Sequence, residues 1–262
     1  MVRTYFLLAW TWTRAAAAYP ASFVLMIVLG FVIAALDVAV ILVIFANTTT
    51  LAGFSRDEVI FLYGTASLSF TLCDTFFSNL DRISQHIKAG TLDTFLIRPV
   101  SAWIQLATDR FNANRAGRIL QAALVLGYSI AALDLGWRRA WMIPVMVVTG
   151  LVIFTALWTI GGALQFVLTD APEVSSSFTY GTHQLSQYPL SIYARDLVAG
   201  VTYVFPLAFI NWQPGLYVLG RDDPFGTPGF MRFLGPAAAL VLTLLAAVAW
   251  RQGLRHYRST GS

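Results

Sequence analysis

Two carboxylates stand where a carboxylate is costly. Asp37 interrupts the apolar stretch 19–46 and Asp74 the stretch 59–79, and neither stretch holds another Asp, Glu, Lys, Arg or His. A charge at bilayer depth costs a few kcal/mol or more unless it is paired or hydrated, so each is a candidate for substrate handling or coupling. The plainer reading is a hydrogen bond to a neighbouring helix or to a partner. Asp74 is also near enough to the inner end of its stretch to reach water. A second polar group comprises Tyr180, His183, Gln184, Gln187 and Tyr188. Tyr180, Gln184 and Tyr188 recur every four residues and share one helical face. This stretch reads as a hydrated translocation path or, alternatively, as a cytoplasmic loop.

No catalytic or metal chemistry is legible. Cys73 is the only cysteine, which excludes an internal disulfide and a Cys-based metal site. His86 and His256, the other two histidines, belong to segments away from His183. Neither H-E-x-x-H nor G-x-S-x-G occurs. A P-loop needs G-x-x-x-x-G-K-[ST], and the only lysine, Lys88, lies in His86-Ile87-Lys88-Ala89. The chain is therefore not expected to hydrolyse ATP, to carry a catalytic residue or to hold a cofactor.

The elements around these residues are set by lipid. Of 262 residues, 57% are hydrophobic and 11% charged, against about 25% charged in a soluble domain. Stretches 141–168, 233–250 and 119–133 carry no charge at all. The first exceeds the roughly 20 residues that cross a bilayer as a helix, and backbone groups in lipid must be satisfied within helices. The expected fold is an all-α integral membrane protein with six transmembrane helices. Spans are expected at 19–46, 57–78, 115–134, 141–168 and 231–250, with the fifth in 169–220. That region has a polar part, 169–187, and an apolar part, 197–219, broken by Pro206 and Pro214. Either 195–218 is a kinked fifth span, or 173–189 is a polar one followed by a re-entrant hairpin over 190–218. Residues 1–18 read as an interfacial helix with Trp10 and Trp12 at headgroup depth. There is no internal repeat.

Eleven of the 17 basic residues lie on one side of this arrangement: Arg3, Arg14, Arg82, Lys88, Arg98, Arg110, Arg115, Arg118, Arg251, Arg255 and Arg258. Positive-inside then puts both termini in the cytoplasm. Arg56, Arg138, Arg139, Arg221 and Arg232 fall outside. The net charge of +4 flanks apolar spans and suits anionic lipid, not nucleic acid.

The segment after the second span has an apolar stripe of Leu80, Ile83 and Ile87, with Asp81, Arg82, His86 and Lys88 elsewhere, and Gly90 as a stop. It reads as a short amphipathic helix, on the inner leaflet or docked to protein. It continues as I-K-A-G-T-L-D-T-F-L-I-R-P-V, residues 87–100. This resembles the cytoplasmic signature of ABC-2 type export permeases, closest to their six-span branch. The tail W-R-Q-G-L-R-H-Y-R-S-T-G-S, 250–262, is similar to that branch's ending. So are Y-P-L-S-I-Y and F-P-L-A-F-I-N-W-Q-P-G-L-Y-V-L-G, 188–193 and 205–220. Lys88 stands where the branch has Arg, which keeps the charge.

The resemblance implies the permease subunit of an ATP-binding-cassette exporter in the cytoplasmic membrane. Its implied partners are two ATPase subunits, which bind the ATP and Mg, and a second six-span permease, related but different. The implied cargo is an amphipathic or hydrophobic drug, antibiotic or lipid. It also implies that 79–91 is a coupling helix, with Leu80, Asp81, Arg82, Ile83, His86, Ile87, Lys88, Gly90, Asp93 and Arg98 as the docking residues. The translocation path would take Asp37, Asp74, Tyr180, His183, Gln184, Gln187 and Tyr188. A self-contained secondary transporter or channel using Asp37 and Asp74 is the alternative, disfavoured by the missing repeat. An intramembrane enzyme lacks a catalytic set.

Overall fold

A computed structural model describes residues 2–168 and 172–257. Every regular element among them is helical; the one extended pairing is a bridge between Leu51 and Phe54. The chain begins with α1 (Val2–Ala17), then α2 (Pro20–Asn47), which carries proline in its first turn, where a missing N–H is harmless. Next comes α3 (Arg56–Phe77), opened by a capping box in which Ser55 and Glu58 each satisfy the other's backbone N–H. The segment after α3, expected to be cytoplasmic, carries a 3₁₀ turn (Ser78–Arg82), α4 (Ile83–Lys88), α5 (Leu92–Leu96) and α6 (Ala102–Thr108). Then follow α7 (Ala116–Ala132), α8 (Trp137–Ala140), α9 (Met142–Leu164) and α10 (Pro172–Ser186). The chain closes with α11 (Arg195–Ala199), α12 (Trp212–Leu219) and α13 (Gly235–His256).

Among the described residues, four helical stretches are long and apolar enough to cross a membrane: Pro20–Asn47, Arg56–Lys88, Trp137–Leu164 and Gly235–His256. The shorter α7 has 17 residues and the polar α10 has 15. The α3 stretch is 83% buried, against 11% for α2 and 22% for α13. So α3 is the centre of the bundle, flanked by α7, α9 and α10, while α2 leans on α7 and α13 on α9. Small residues set these approaches, as they do where lipid is the solvent. A Cβ on Gly117 would sit 2.0 Å from the Ile27 carbonyl oxygen, and one on Gly64 3.0 Å from Leu126 Cα. Behind α3, Phe70 packs on Phe154 and Trp158, each at 5.2 Å.

No continuous helix runs over 195–218. The chain there forms α11, a π turn (Gly200–Val204), a 3₁₀ turn (Leu207–Phe209) and α12. A separate helix, α10, precedes this broken stretch. Pro206 lies at the break, and Pro214 sits in the first turn of α12, where its ring meets no preceding helical carbonyl. The amides between them are satisfied. Asn211 donates to Leu62 O at 3.2 Å and to Ser186 O, and Gln213 donates to Asp223 Oδ2 at 2.8 Å and Thr227 Oγ1 at 3.1 Å. At the same end, Arg221 grips Glu58 through two bonds of 2.5 and 2.7 Å and lies over the Phe54 ring.

At the opposite end, α1 is tied to α3. Tyr5 is buried and donates to Phe76 O at 2.6 Å. Burial, with Cys73 adding to it, raises the phenol's pKa and keeps it a donor. Phe6, Leu7, Trp10 and Trp12 remain exposed on the other side of α1.

Candidate functional site

The last turn of α3 delivers Asp74 into the bundle, where it is completely buried. Arg115 and Arg118, three residues apart at the start of α7, share a helical face and reach it together. Arg115 Nη1 donates to Asp74 Oδ1 at 2.9 Å, and Arg118 Nη1 to Oδ2 at 3.5 Å. Arg115 also donates to the Asp74 carbonyl and to Ser78 Oγ. From α10, Tyr180 OH donates to Asp74 Oδ1 at 3.2 Å. One carboxylate therefore ties α3, α7 and α10 together at the end of the bundle where α3 stops. The side chains of Arg115 and Arg118 are 22% and 37% exposed against 1% for Asp74, so the cluster has a buried anion and a wet cationic edge. The reading of Asp74 as reaching water gives way to this pairing. Both arginines were legible only as cytoplasmic charges; their spacing at the head of an apolar run, with an acid in the preceding span, was the available signal.

Asp37 is not in this cluster by contact. It is exposed on α2, within electrostatic reach of Arg118, Tyr63 and Tyr188. Tyr188 follows α10 and is half-buried. His183 turns the other way. Its ring stacks on Phe70 at 3.8 Å and 12°, and Gln187 Nε2 lies 3.3 Å from its Nε2. His183 on α10 and Gln187 just after it are core groups, whereas Ser177, Tyr180, Gly181 and Gln184 form the exposed stripe of α10. Ser177, Gly181 and Gln184 of this stripe border an open cavity of about 590 Å³, faced by Tyr193, Leu197 and Phe205 from the broken stretch that follows α10. Among the described residues no three His, Cys, Asp or Glu side chains converge to hold a metal.

The segment from Ser78 to Thr108 presents a sorted surface. Leu80, Ile83 and Ile87 are buried within the chain. A Cβ on Gly162 of α9 would lie 2.9 Å from Ile83 Cδ1 and 3.1 Å from Leu80 O, so the apolar stripe is seated on α9. Asp81 Oδ2 accepts from Trp158 Nε1 at 2.9 Å, and Arg82 is half-buried. His86 bridges Asp109 at 3.3 Å and Thr91 Oγ1 at 3.0 Å. Gly90 takes φ +66°, the left-handed turn that ends α4. Asp93 accepts from Tyr257 OH at 3.1 Å, and Arg98 lies 5.7 Å above the Phe95 ring. The outward face is then Gln85, Lys88, Ala89, Thr91, Thr94 and Arg98, together with the exposed apolar Leu96, Ile97 and Pro99. The expected stripe exists, but its place is inside the chain.

A family model described as ABC-2 family transporter protein matches residues 31–261. No curated protein and no solved structure matches the chain. The matched region takes in the apolar helices, the buried Asp74 cluster and the cytoplasmic segment. This multi-pass membrane protein belongs to the ABC-2 transporter family as a permease.

Proposed function

We propose that the chain is one permease of an ATP-driven exporter, crossing the cytoplasmic membrane six times through α2, α3, α7, α9, α10 and α13. Both termini are cytoplasmic, α1 lies on the inner surface, and residues 190–218 form a hairpin entering from the outer face. Two ATPase subunits supply ATP and Mg chemistry, and a second, related permease completes the path. The cargo is amphipathic or hydrophobic. The exposed Asp37 and the polar stripe of α10 border the path, while Asp74 holds the inner end of three spans in register.

The observation that carries this reading is the cytoplasmic segment. Its apolar side is seated on α9 and its polar side is left outward, so a force applied there reaches the spans directly. Reversing the charge of the outward face by Lys88→Glu should lower recovery of a co-expressed ATPase at least tenfold, while Cys73 stays shielded from maleimide. Cys73 is buried, so it reports an intact bundle. Equal recovery from the variant and the original chain would sink the docking surface. ATP hydrolysis by the purified chain alone would sink the half-transporter reading altogether.

A further inference from the structure

Two apolar cavities of about 470 and 590 Å³ meet along Phe77, Trp103 and Leu151. The first continues between α9 and α13. Its walls are the rows Leu151, Thr155 and Thr159 on one helix and Thr243, Ala247 and Arg251 on the other. The second continues under α1, against Tyr5 and Phe6. Each row repeats every four residues, so it runs straight along its helix. From Thr243 to Arg251 the rise is about 12 Å, close to half of a hydrocarbon core of about 30 Å. The groove therefore spans one leaflet, from mid-depth to the end of the bundle that carries the Arg115–Asp74 cluster.

Lining and depth together narrow the occupant. The walls are almost wholly apolar, so water gains too few partners to fill them. Trp103 Nε1 is already committed to Thr159 Oγ1 at 3.1 Å. Neither lobe has an acidic residue in its wall. Arg251 is exposed at the rim, at headgroup height, and forms no ion pair with any described carboxylate. Two joined apolar lobes, the first of them rimmed by a cation, match two acyl chains carried by one phosphate.

We propose that this groove is a binding site for one anionic diacyl phospholipid of the inner leaflet, with its chains in the two lobes and its phosphate on Arg251. The inference rests on the membrane reading and not on transport. Failure of ATPase recovery would leave it standing, and its own failure would leave the exporter reading untouched.

The test is native mass spectrometry of the full chain released from detergent containing equal phosphatidylglycerol and phosphatidylcholine. The original chain should retain one phospholipid, with phosphatidylglycerol favoured about fivefold, the worth of one basic side chain at a membrane surface. Ala247→Trp fills the first lobe and should lower retention at least fivefold. Leu245→Trp, on an exposed face of α13 outside the groove's wall, should not. Thr243→Leu fills the same row more gently and should also lower retention, which covers the case of a tryptophan variant that does not accumulate. Arg251→Gln should keep a lipid but bind the two headgroups equally. Equal retention by the original chain and both groove-filling variants overturns the proposal, as does an unchanged headgroup preference in Arg251→Gln. Cross-linking of Ala247→Cys to another polypeptide would put a protein in the groove and overturn it too.

Discussion

Removing the charge of Asp74 should loosen the inner end of the bundle by an amount the structure bounds. Breaking a buried ion pair by deleting one partner costs about 3–5 kcal/mol, because the other charge is stranded. Here the stranded groups are Arg115 and Arg118, whose side chains are 22% and 37% exposed. Water at that edge lowers the cost. Arg115 also keeps Ser78 Oγ and the Asp74 carbonyl as acceptors, and the 3.5 Å contact of Arg118 is at the limit of a hydrogen bond. For Asp74→Asn, about 2–3 kcal/mol remains after this discount from the full value. Cys73, the next residue back, gives the readout: it is fully buried and is the only thiol. Maleimide labelling limited by opening of α3 should then accelerate about 30- to 150-fold, at 1.4 kcal/mol per factor of ten. The rate in denatured protein corrects for the neighbouring charge. Arg115→Gln alone leaves Asp74 with Arg118 and Tyr180, so the double variant should cost at least about 1 kcal/mol less than the two single changes added. A labelling rate changed less than threefold, or strict additivity, would refute the cluster as the clamp of α3, α7 and α10.

Three further outcomes are expected. Cysteines at Ala194 and Asp222 should react with a membrane-impermeant maleimide from outside, and one at Arg255 only from the cytoplasm; cytoplasmic labelling of position 194 would restore a continuous fifth span. Gly117→Leu drives a side chain into the Ile27 carbonyl and should cost about 3 kcal/mol, the upper end for overpacking, seen as faster Cys73 labelling; a neutral outcome would mean that α2 is not held on α7 at this point. Gly162→Ala pushes on Ile83 and should lower transport in vesicles severalfold while ATP hydrolysis by the assembled complex continues; equal loss of both would point to disassembly instead of uncoupling.

How far the sequence reaches depends on whether a residue's role is set along the chain or across it. Helices α2, α3, α7, α9 and α13 lie within a few residues of the apolar stretches, because apolar length alone dictates a span in lipid. The break at Pro206 was legible for a local reason as well, the missing backbone donor. The choice between the two fifth-helix readings was not, since it turns on where Asn211 finds acceptors, and those are Leu62 O and Ser186 O on two other helices. Periodicity put Leu80, Ile83 and Ile87 on one face but could not say that Gly162 leaves the room they occupy. For His183 the same limit applied. A polar residue in a polar helix read as path-lining, yet Phe70 covers its ring. Residues 169–171 and the tail beyond Tyr257 lie outside those described, so the resemblance carried by 258–262 has no structural counterpart here.

The position of Asp74 explains how a signal entering from the cytoplasm would arrive at the polar face of α10. It lies four positions before Ser78, where α3 passes into the segment expected to be cytoplasmic. That segment cannot shift as a free loop, because Leu80 and Ile83 are wedged on α9 and Asp81 holds Trp158 of the same helix. A push on its outward face is thus divided between α3 and α9. The α3 share reaches Asp74 within about one helical turn. There the carboxylate is joined both to Arg115, at the head of α7, and to Tyr180, which stands on the exposed stripe of α10 beside Gln184. Close-packed interfaces respond to such displacements by switching arrangement, not by stretching. The Tyr180–Asp74 bond, 3.2 Å long and neutral on the donor side, is the weakest link in this chain of contacts. It is therefore where α10 would part from α3 first.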